Sequence, residues 1–255
     1  MRFRLFEIED QPRCPVFIRD AMTDHLRFTS ALFEPYRKAV PLVSTLISSD
    51  GGCNVIDLCS GAGGPWSYLG AELARLYPKL EIVLTDRFPH RGLPGAANGA
   101  TLVRYPEPVD ATAIPPQLKG ARTLFTSYHH FDEAKAIAIL SDAVKSRSPL
   151  GVFEVTGATP LHFVMVLVVF LLCFVSAPIL KPFSPWRILF TYLFPLIPLA
   201  VLWDGLVSNL RSYSVSELRA LSSTCTSDFR WSAGSVRTVC GLPMRYLIGV
   251  PVGGV

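Results

Sequence analysis

The sequence predicts an α/β fold, a doubly wound and mostly parallel sheet, interrupted by an apolar helical hairpin. Three observations carry this. From Asn54 onward, short apolar runs alternate with stretches of helical periodicity, the pattern of parallel strands joined by crossover helices. The first of those runs ends in a glycine cluster, Gly61-Ala62-Gly63-Gly64. Two long, nearly uncharged segments follow the fifth run, and they account for a mean hydropathy of +0.36 in a chain of 255 residues.

Taken in order, residues 1–50 are punctuated by Pro12, Pro15, Pro35 and Pro41 and carry a helical pattern from Thr23 to Lys38, with His25, Phe28, Phe33 and Tyr36 at roughly helical spacing. They are predicted to form a helical cover. Val55 to Cys59 reads as a buried strand, and Pro65 to Tyr77 as a helix with proline at its first position. Strands are predicted at Glu81–Asp86, Thr101–Tyr105, Arg122–Ser127 and Leu150–Val155, with a helix from Asp132 to Ser146. Near the end, Ser214 and Glu217 have capping-box spacing, and Arg237–Cys240 and Arg245–Val250 are predicted as closing strands. The α/β domain therefore comprises residues 51–160 and 204–255, with 161–203 inserted after the fifth strand.

Within the insertion, Leu161 to Leu180 is twenty residues with one ionisable group, His162, and Trp186 to Trp203 is eighteen with one charge, Arg187. At 1.5 Å per residue each run is long enough to approach the ~30 Å hydrocarbon core of a bilayer. A membrane hairpin is predicted, crossing fully or re-entering from one leaflet, since Pro195 and Pro198 interrupt the second run. Lys181 and Arg187 are expected at its far tip, with Trp186 and Trp203 at the interface.

Composition excludes several classes. Half the residues are hydrophobic and 17% charged, which rules out a disordered chain, and the net charge of +4 has no basic stripe suited to nucleic acid. No 7–15-residue apolar stretch follows the N-terminus, so no secretory signal is expected. The six cysteines lack the C-x₂-C spacing of a zinc site and are expected as free thiols in a reducing compartment; no metal site is predicted.

The sharpest signal is the strand Val55-Ile56-Asp57-Leu58-Cys59 running into Ser60-Gly61-Ala62-Gly63-Gly64. Glycine admits positive φ and leaves no Cβ to block a ligand lying on the backbone. The acid four residues before the glycines opposes phosphate but suits a cationic ligand. Asp86, 25 residues after Gly61, ends the second strand where a carboxylate accepts ribose hydroxyls. Asp110 and Ala111 follow the third strand, in reach of an adenine edge.

These elements resemble the class I S-adenosylmethionine-dependent methyltransferases of the small-molecule branch. The resemblance covers about residues 40–157 and 204–255. It implies a Rossmann-like sheet with an antiparallel closing strand, and S-adenosylmethionine as cofactor. Asp57 to Gly63 would be the first motif, Asp86 the ribose-binding acid, Asp110 with Ala111 the adenine-side motif, and Thr126-Ser127-Tyr128-His129-His130-Phe131 the fourth motif. The cofactor-binding residues implied are Asp57, Cys59, Ser60, Gly61, Gly63, Asp86, Arg87, Asp110, Ala111 and Ser127. Cys59 stands where the commonest pattern has its first glycine.

His129, His130 and Glu154 are the catalytic candidates. Each follows or ends a strand at the carboxyl edge, where open α/β sheets bind ligands, and histidine titrates near neutrality. The hairpin leaves from that same edge, so the expected acceptor is a lipid or other hydrophobic small molecule, and the expected location is the membrane with the globular domain on the cytoplasmic side. A catalytically silent scaffold that binds the cofactor is the alternative. A nicotinamide-dependent reductase is disfavoured by the acid ahead of the glycines, and a nucleic-acid methyltransferase by the absence of an Asn-Pro-Pro-Tyr-like motif.

Overall fold

A computed structural model describes residues 5–92, 99–225 and 228–253. Seven strands form one sheet: β1 (Asn54–Leu58), β2 (Glu81–Leu84), β3 (Thr101–Arg104), β4 (Ala121–Phe125), β5 (Leu150–Glu154), β6 (Phe229–Arg237) and β7 (Pro243–Pro251). Their order is β3-β2-β1-β4-β5-β7-β6. The first five are parallel, and β7 enters antiparallel between β5 and β6. The order reverses between β1 and β4, so the loops leaving those two strands diverge and open a crevice at the carboxyl edge.

Helices α1 (Val16–Phe33), α2 (Val40–Asp50), α3 (Trp66–Leu76) and α4 (Glu133–Lys145) precede the insertion, and α8 (Val215–Ser223) follows it. Both sheet faces are covered. Leu46 and Ile47 of α2 pack with Leu69 and Leu73 of α3 in one core; Ile139 and Leu140 of α4 pack with Leu218 of α8 in the other. Strands buried on both faces read as continuous apolar runs, which is why β1, β4 and β5 were legible. The capping box forms as its spacing requires: Ser214 N–H donates to Glu217 Oε2 at 2.8 Å, and Glu217 N–H to Ser214 Oγ at 3.2 Å.

Two boundaries differ from expectation. Helix α1 starts at Val16, behind Pro15, and ends at Glu34, which adopts φ 44° ahead of Pro35. The strand expected at 237–240 is instead the turn of the β6–β7 hairpin, with Gly241 at φ 84°. Strand β6 is easily missed because small residues replace branched ones. A Cβ on Gly234 would stand 2.5 Å from Tyr246 Oη, and one on Gly249 2.3 Å from the Trp231 ring, so these glycines make room for aromatic rings lying across the sheet.

The insertion departs furthest. Its first run forms α5 (Pro160–Ser176), 17 residues and therefore about 25 Å long. The second run is broken into α6 (Pro185–Ile188), a π-turn over Leu189–Leu193 and, after a 74° bend, α7 (Leu196–Arg211). The break falls where Phe194 precedes Pro195 and cannot keep helical dihedrals. Among the described residues no single helix is long and apolar enough to cross a membrane; the bent pair meets that length and composition only when its two parts are taken together. Helix α7 also runs past Trp203 into the polar stretch Asp204–Arg211.

The inner faces of α5 and α7 pack against α1 through Met22, Cys173, Ile197 and Val201. His25 bridges α1 to α5, with Nδ1 2.8 Å from Ser176 Oγ and Nε2 2.9 Å from the Val169 carbonyl. Arg187, expected at an exposed tip, is buried. Its guanidinium donates to the carbonyls of Ala177, at the cap of α5, and of Leu180 and Pro182 in the loop that follows. The outer face of α5 is left bare: Val164, Leu167, Leu171 and Val175 are each more than half exposed.

Candidate active site

The crevice at the strand-order reversal deepens into a cavity of about 550 Å³. One wall is the glycine turn after β1. Cys59, Gly61, Gly63 and Gly64 all have positive φ, at 55°, 49°, 104° and 43°. Cys59 is thus strained where a glycine would not be. Gly61 is packed too: a Cβ would meet Thr23 Cγ2 at 3.2 Å. The turn is tied to the second strand by Asp86, whose Oδ2 accepts from Gly61 N–H and whose Oδ1 accepts from Phe88 N–H, both at 2.8 Å. Burial raises the Asp86 pKa, and those two N–H groups oppose the rise.

Cys59, Ser60, Gly61, Asp86, Arg87 and Ser127 line this cavity, together with His129 and His130. Four of the predicted cofactor residues do not. Asp57 was assigned to the ligand's amino group, but its side chain is 2% exposed and turns into the sheet, accepting from Thr123 Oγ1 at 2.7 Å. Burial pushes its pKa up to about 7. Gly63 stands behind the turn, where a Cβ would touch Leu84. Asp110 is exposed and closes its own turn by accepting from Thr112 N–H at 2.9 Å and Thr112 Oγ1 at 2.7 Å, while Ala111 packs in the core. Asp57 and Asp110 are thus each engaged by a donor of this chain rather than placed at the cavity wall.

The opposite wall holds the catalytic candidates. After β4 the chain turns through Thr126, at φ 44°, into a 3₁₀ turn over Tyr128–His130. Glu154, the last residue of β5, lies beneath and is fully buried. Its Oε1 accepts from Tyr128 N–H at 2.7 Å; its Oε2 stands 2.8 Å from His129 Nδ1 and accepts from Thr156 Oγ1 at 2.9 Å. Burial opposes its ionisation, but the adjoining His129 imidazole and these hydrogen bonds hold its pKa below the usual carboxylate value. An ionised Glu154 can only accept, so the proton sits on His129 Nδ1 and the Nε2 lone pair is left without a hydrogen-bond partner.

Sequence reasoning missed the rest of this wall. The segment Glu7–Asp10 is drawn in over the histidines. Asp204, in α7, accepts from Ile8 N–H at 2.7 Å and Glu9 N–H at 3.0 Å, and Arg19 donates to the carbonyls of Glu9 and Gln11. Glu7 is fully buried; Arg211 Nη1 lies 3.1 Å from its Oε1, and Arg211 Nη2 donates to the His130 carbonyl at 2.6 Å. His130 Nδ1 is 3.1 Å from Glu7 Oε2 and 3.0 Å from Asp10 Oδ1. Burial disfavours the His130 imidazolium, yet Glu7, Asp10 and Glu9 outweigh it and lift its pKa to about 10. Asp10 is correspondingly held at about 2, because pairing with His130 and Arg211 overcomes its own burial. The acidic run Glu7-Ile8-Glu9-Asp10 and the acid Asp204 that ends the apolar run were the available signals.

The remaining wall is apolar. Met165, Val166 and Val169 of α5, Val201 of α7 and Leu26 and Phe33 of α1 line it. The inner side of the hairpin is thus part of the cavity, and the helices reach it because the chain leaves β5 at the carboxyl edge.

No family model matches the chain and no curated protein matches it in sequence. Among solved structures it is similar in shape to human N-acetylserotonin methyltransferase in complex with SAM, at 16% identity, covering 94% of this chain and 60% of that one, with a TM-score of 0.49. A putative O-methyltransferase from Nostoc punctiforme is 17% identical, covering 94% and 62%, with a TM-score of 0.45. The mitomycin 7-O-methyltransferase MmcR is 18% identical, covering 96% and 59%, with a TM-score of 0.45. The chain spans about three-fifths of the length of these structures. With identities this low, the functional reading rests on the strand order and the geometry of the cavity.

Proposed function

We propose that this chain is an S-adenosylmethionine-dependent methyltransferase acting on a hydroxyl of a hydrophobic small molecule or lipid at a membrane surface. One observation carries the reading: a single cavity joins the glycine turn and Asp86, the His129–Glu154 pair, and the apolar inner wall of α5 and α7. Its volume of about 550 Å³ lies within the range of small-molecule sites.

The residues fit the cofactor. Each Asp86 oxygen accepts one N–H and keeps a free lone pair for a ribose hydroxyl, and at Gly61 and Gly64 the turn offers the cavity backbone without a Cβ. When bound, the cofactor would supply an electrophilic methyl carbon on a sulfonium, whose sulfur would leave as a neutral thioether carrying the bonding pair. The chain's own work is positioning and proton removal. The apolar wall holds the acceptor in line with that carbon, a task worth several kcal/mol of barrier. His129 takes the hydroxyl proton at Nε2 as the bond to carbon forms, and Glu154 fixes the tautomer and stabilises the imidazolium that results.

The outer surface of the hairpin supports membrane association of the interfacial kind. Leu167 and Leu171 are each about half exposed, on the far side of α5 from the side that lines the cavity, and Leu193 and Phe194, at the break before α7, are more than half exposed. A helix pair with one face on a globular domain lies in the bilayer surface rather than across it. We place the globular domain on the cytoplasmic side. The test is incubation with S-adenosylmethionine carrying a labelled methyl group and an organic extract of cell membranes, with mass spectrometry of whatever acquires label. Label in a hydroxyl of an apolar compound is expected. Cofactor binding with no labelled product from any extract would favour the silent scaffold.

A further inference from the structure

We propose that Glu7, His129 and His130 form a binding site for one divalent transition-metal ion of the zinc type. Three donor atoms converge there, one per residue, all within 4.8 Å of one another. All three atoms are buried; Glu7 Oε2 and His130 Nδ1 face each other at 3.1 Å, and His129 Nε2 meets no hydrogen-bond partner. An imidazole nitrogen buried without a partner costs about 1–3 kcal/mol, and an ion shared with the Glu7–His130 pair would satisfy it, His130 releasing its Nδ1 proton on binding. Glu7 is fully buried and His129 is 2% exposed, which leaves bulk water little access to that role.

The chemistry of the donors selects the ion. Two imidazoles and one carboxylate suit zinc, cobalt or iron(II) rather than magnesium or calcium, which prefer oxygen. Donors about 2.1 Å from one ion stand roughly 3–4 Å apart, so side-chain shifts of about an ångström close the set. The supporting shell exists already. Glu154 holds His129 through Nδ1, the carboxylate–histidine arrangement that orients metal-bound imidazole, and Arg211 holds the backbone of His130. The ion's charge would be balanced by Asp10, 3.0 Å from His130.

The binding stands independently of the activity; its consequence for turnover rests on reading His129 as the base. An ion held by the Nε2 lone pair removes that base, so the metal-bound enzyme does not deprotonate its acceptor. The test uses the full chain after chelator treatment, titrated with cobalt(II) and followed by visible d–d absorption, with zinc measured by calorimetry. One equivalent is expected to bind. His129→Ala is expected to abolish binding and Glu7→Gln to weaken it about 100-fold, both with unchanged circular dichroism. His90→Asn, at a separate histidine beside Asp20 and Asp24, is expected to bind as the unmodified chain does. Absence of stoichiometric binding overturns the proposal. So does binding that survives both site variants or is lost in His90→Asn. Stoichiometric binding by a chain that transfers no methyl group even when freed of metal would uphold the metal site and remove the proposed function; methyl transfer without metal binding would do the reverse.

Discussion

Replacing Glu154 by glutamine keeps the shape of the buried side chain and changes what its atoms can do. Glu154 receives three donors: Tyr128 N–H, His129 Nδ1–H and Thr156 Oγ1–H. A glutamine has one carbonyl and one NH₂ in their place. If its NH₂ faced Tyr128, two donors would meet at a buried backbone group that cannot adapt, at a cost of about 1–3 kcal/mol. Facing His129 costs less, because the imidazole can move its proton to Nε2 and accept at Nδ1, and the Thr156 hydroxyl can rotate. The variant should therefore carry the wrong tautomer, with the lone pair turned away from the acceptor. Losing a general base costs about 10² to 10⁴ in rate, or ~3–5 kcal/mol of barrier. Two measurements check this. Imidazole ¹⁵N correlation spectra should show the protonated nitrogen of His129 change from Nδ1 to Nε2. Methyl transfer from labelled S-adenosylmethionine to a membrane extract should fall at least a hundredfold, with the cofactor dissociation constant within about threefold of the unmodified chain. An unchanged tautomer, or a rate within threefold, would refute the reasoning.

Three further outcomes are expected. Asp86→Ala should weaken S-adenosylmethionine binding by about 1–3 kcal/mol, roughly 5- to 150-fold by calorimetry, and an unchanged constant would remove the ribose assignment. Asp57→Asn tests the inward role of that carboxyl. Its folded pKa of about 7 exceeds the ordinary 3.8, so its burial is tolerated best below pH 4 and stability is lost as pH rises toward 7. Denaturant unfolding of the asparagine variant should lose that slope and leave it more stable than the parent at pH 8, by at most ~4 kcal/mol. Leu167→Glu with Leu171→Glu places two charges on the bare face of α5 without touching a core, since each is about half exposed. Co-sedimentation with anionic lipid vesicles should drop at least tenfold while the melting temperature stays put; unaltered sedimentation would rule out this face as the membrane contact.

The α/β architecture was legible because its strands are buried on both faces. Val55–Leu58 and Leu150–Phe153 are apolar runs whatever surrounds them, and the glycine turn advertises its backbone through residue type. Capping chemistry at Ser214 and Glu217 is local and was equally readable. Strand β6 was not, because its glycines answer to Tyr246 and Trp231 across the sheet.

Residue type and spacing also located the first motif, Asp86 and the paired histidines. They could not say which carboxylates face a ligand. Asp57 turns to Thr123, 66 residues away in sequence, and Asp110 turns to its own loop, whereas Glu7 arrives at His129 from more than a hundred residues distant. Hydropathy determined that residues 161–203 are apolar. Only packing decided that one side of those helices belongs to the cavity and that Arg187 is spent on the carbonyls of the loop after α5. Local patterns follow from neighbours along the chain, which a sequence contains. The direction in which a polar side chain points depends on the nearest donor or acceptor in space, and that is set when distant segments close on one another.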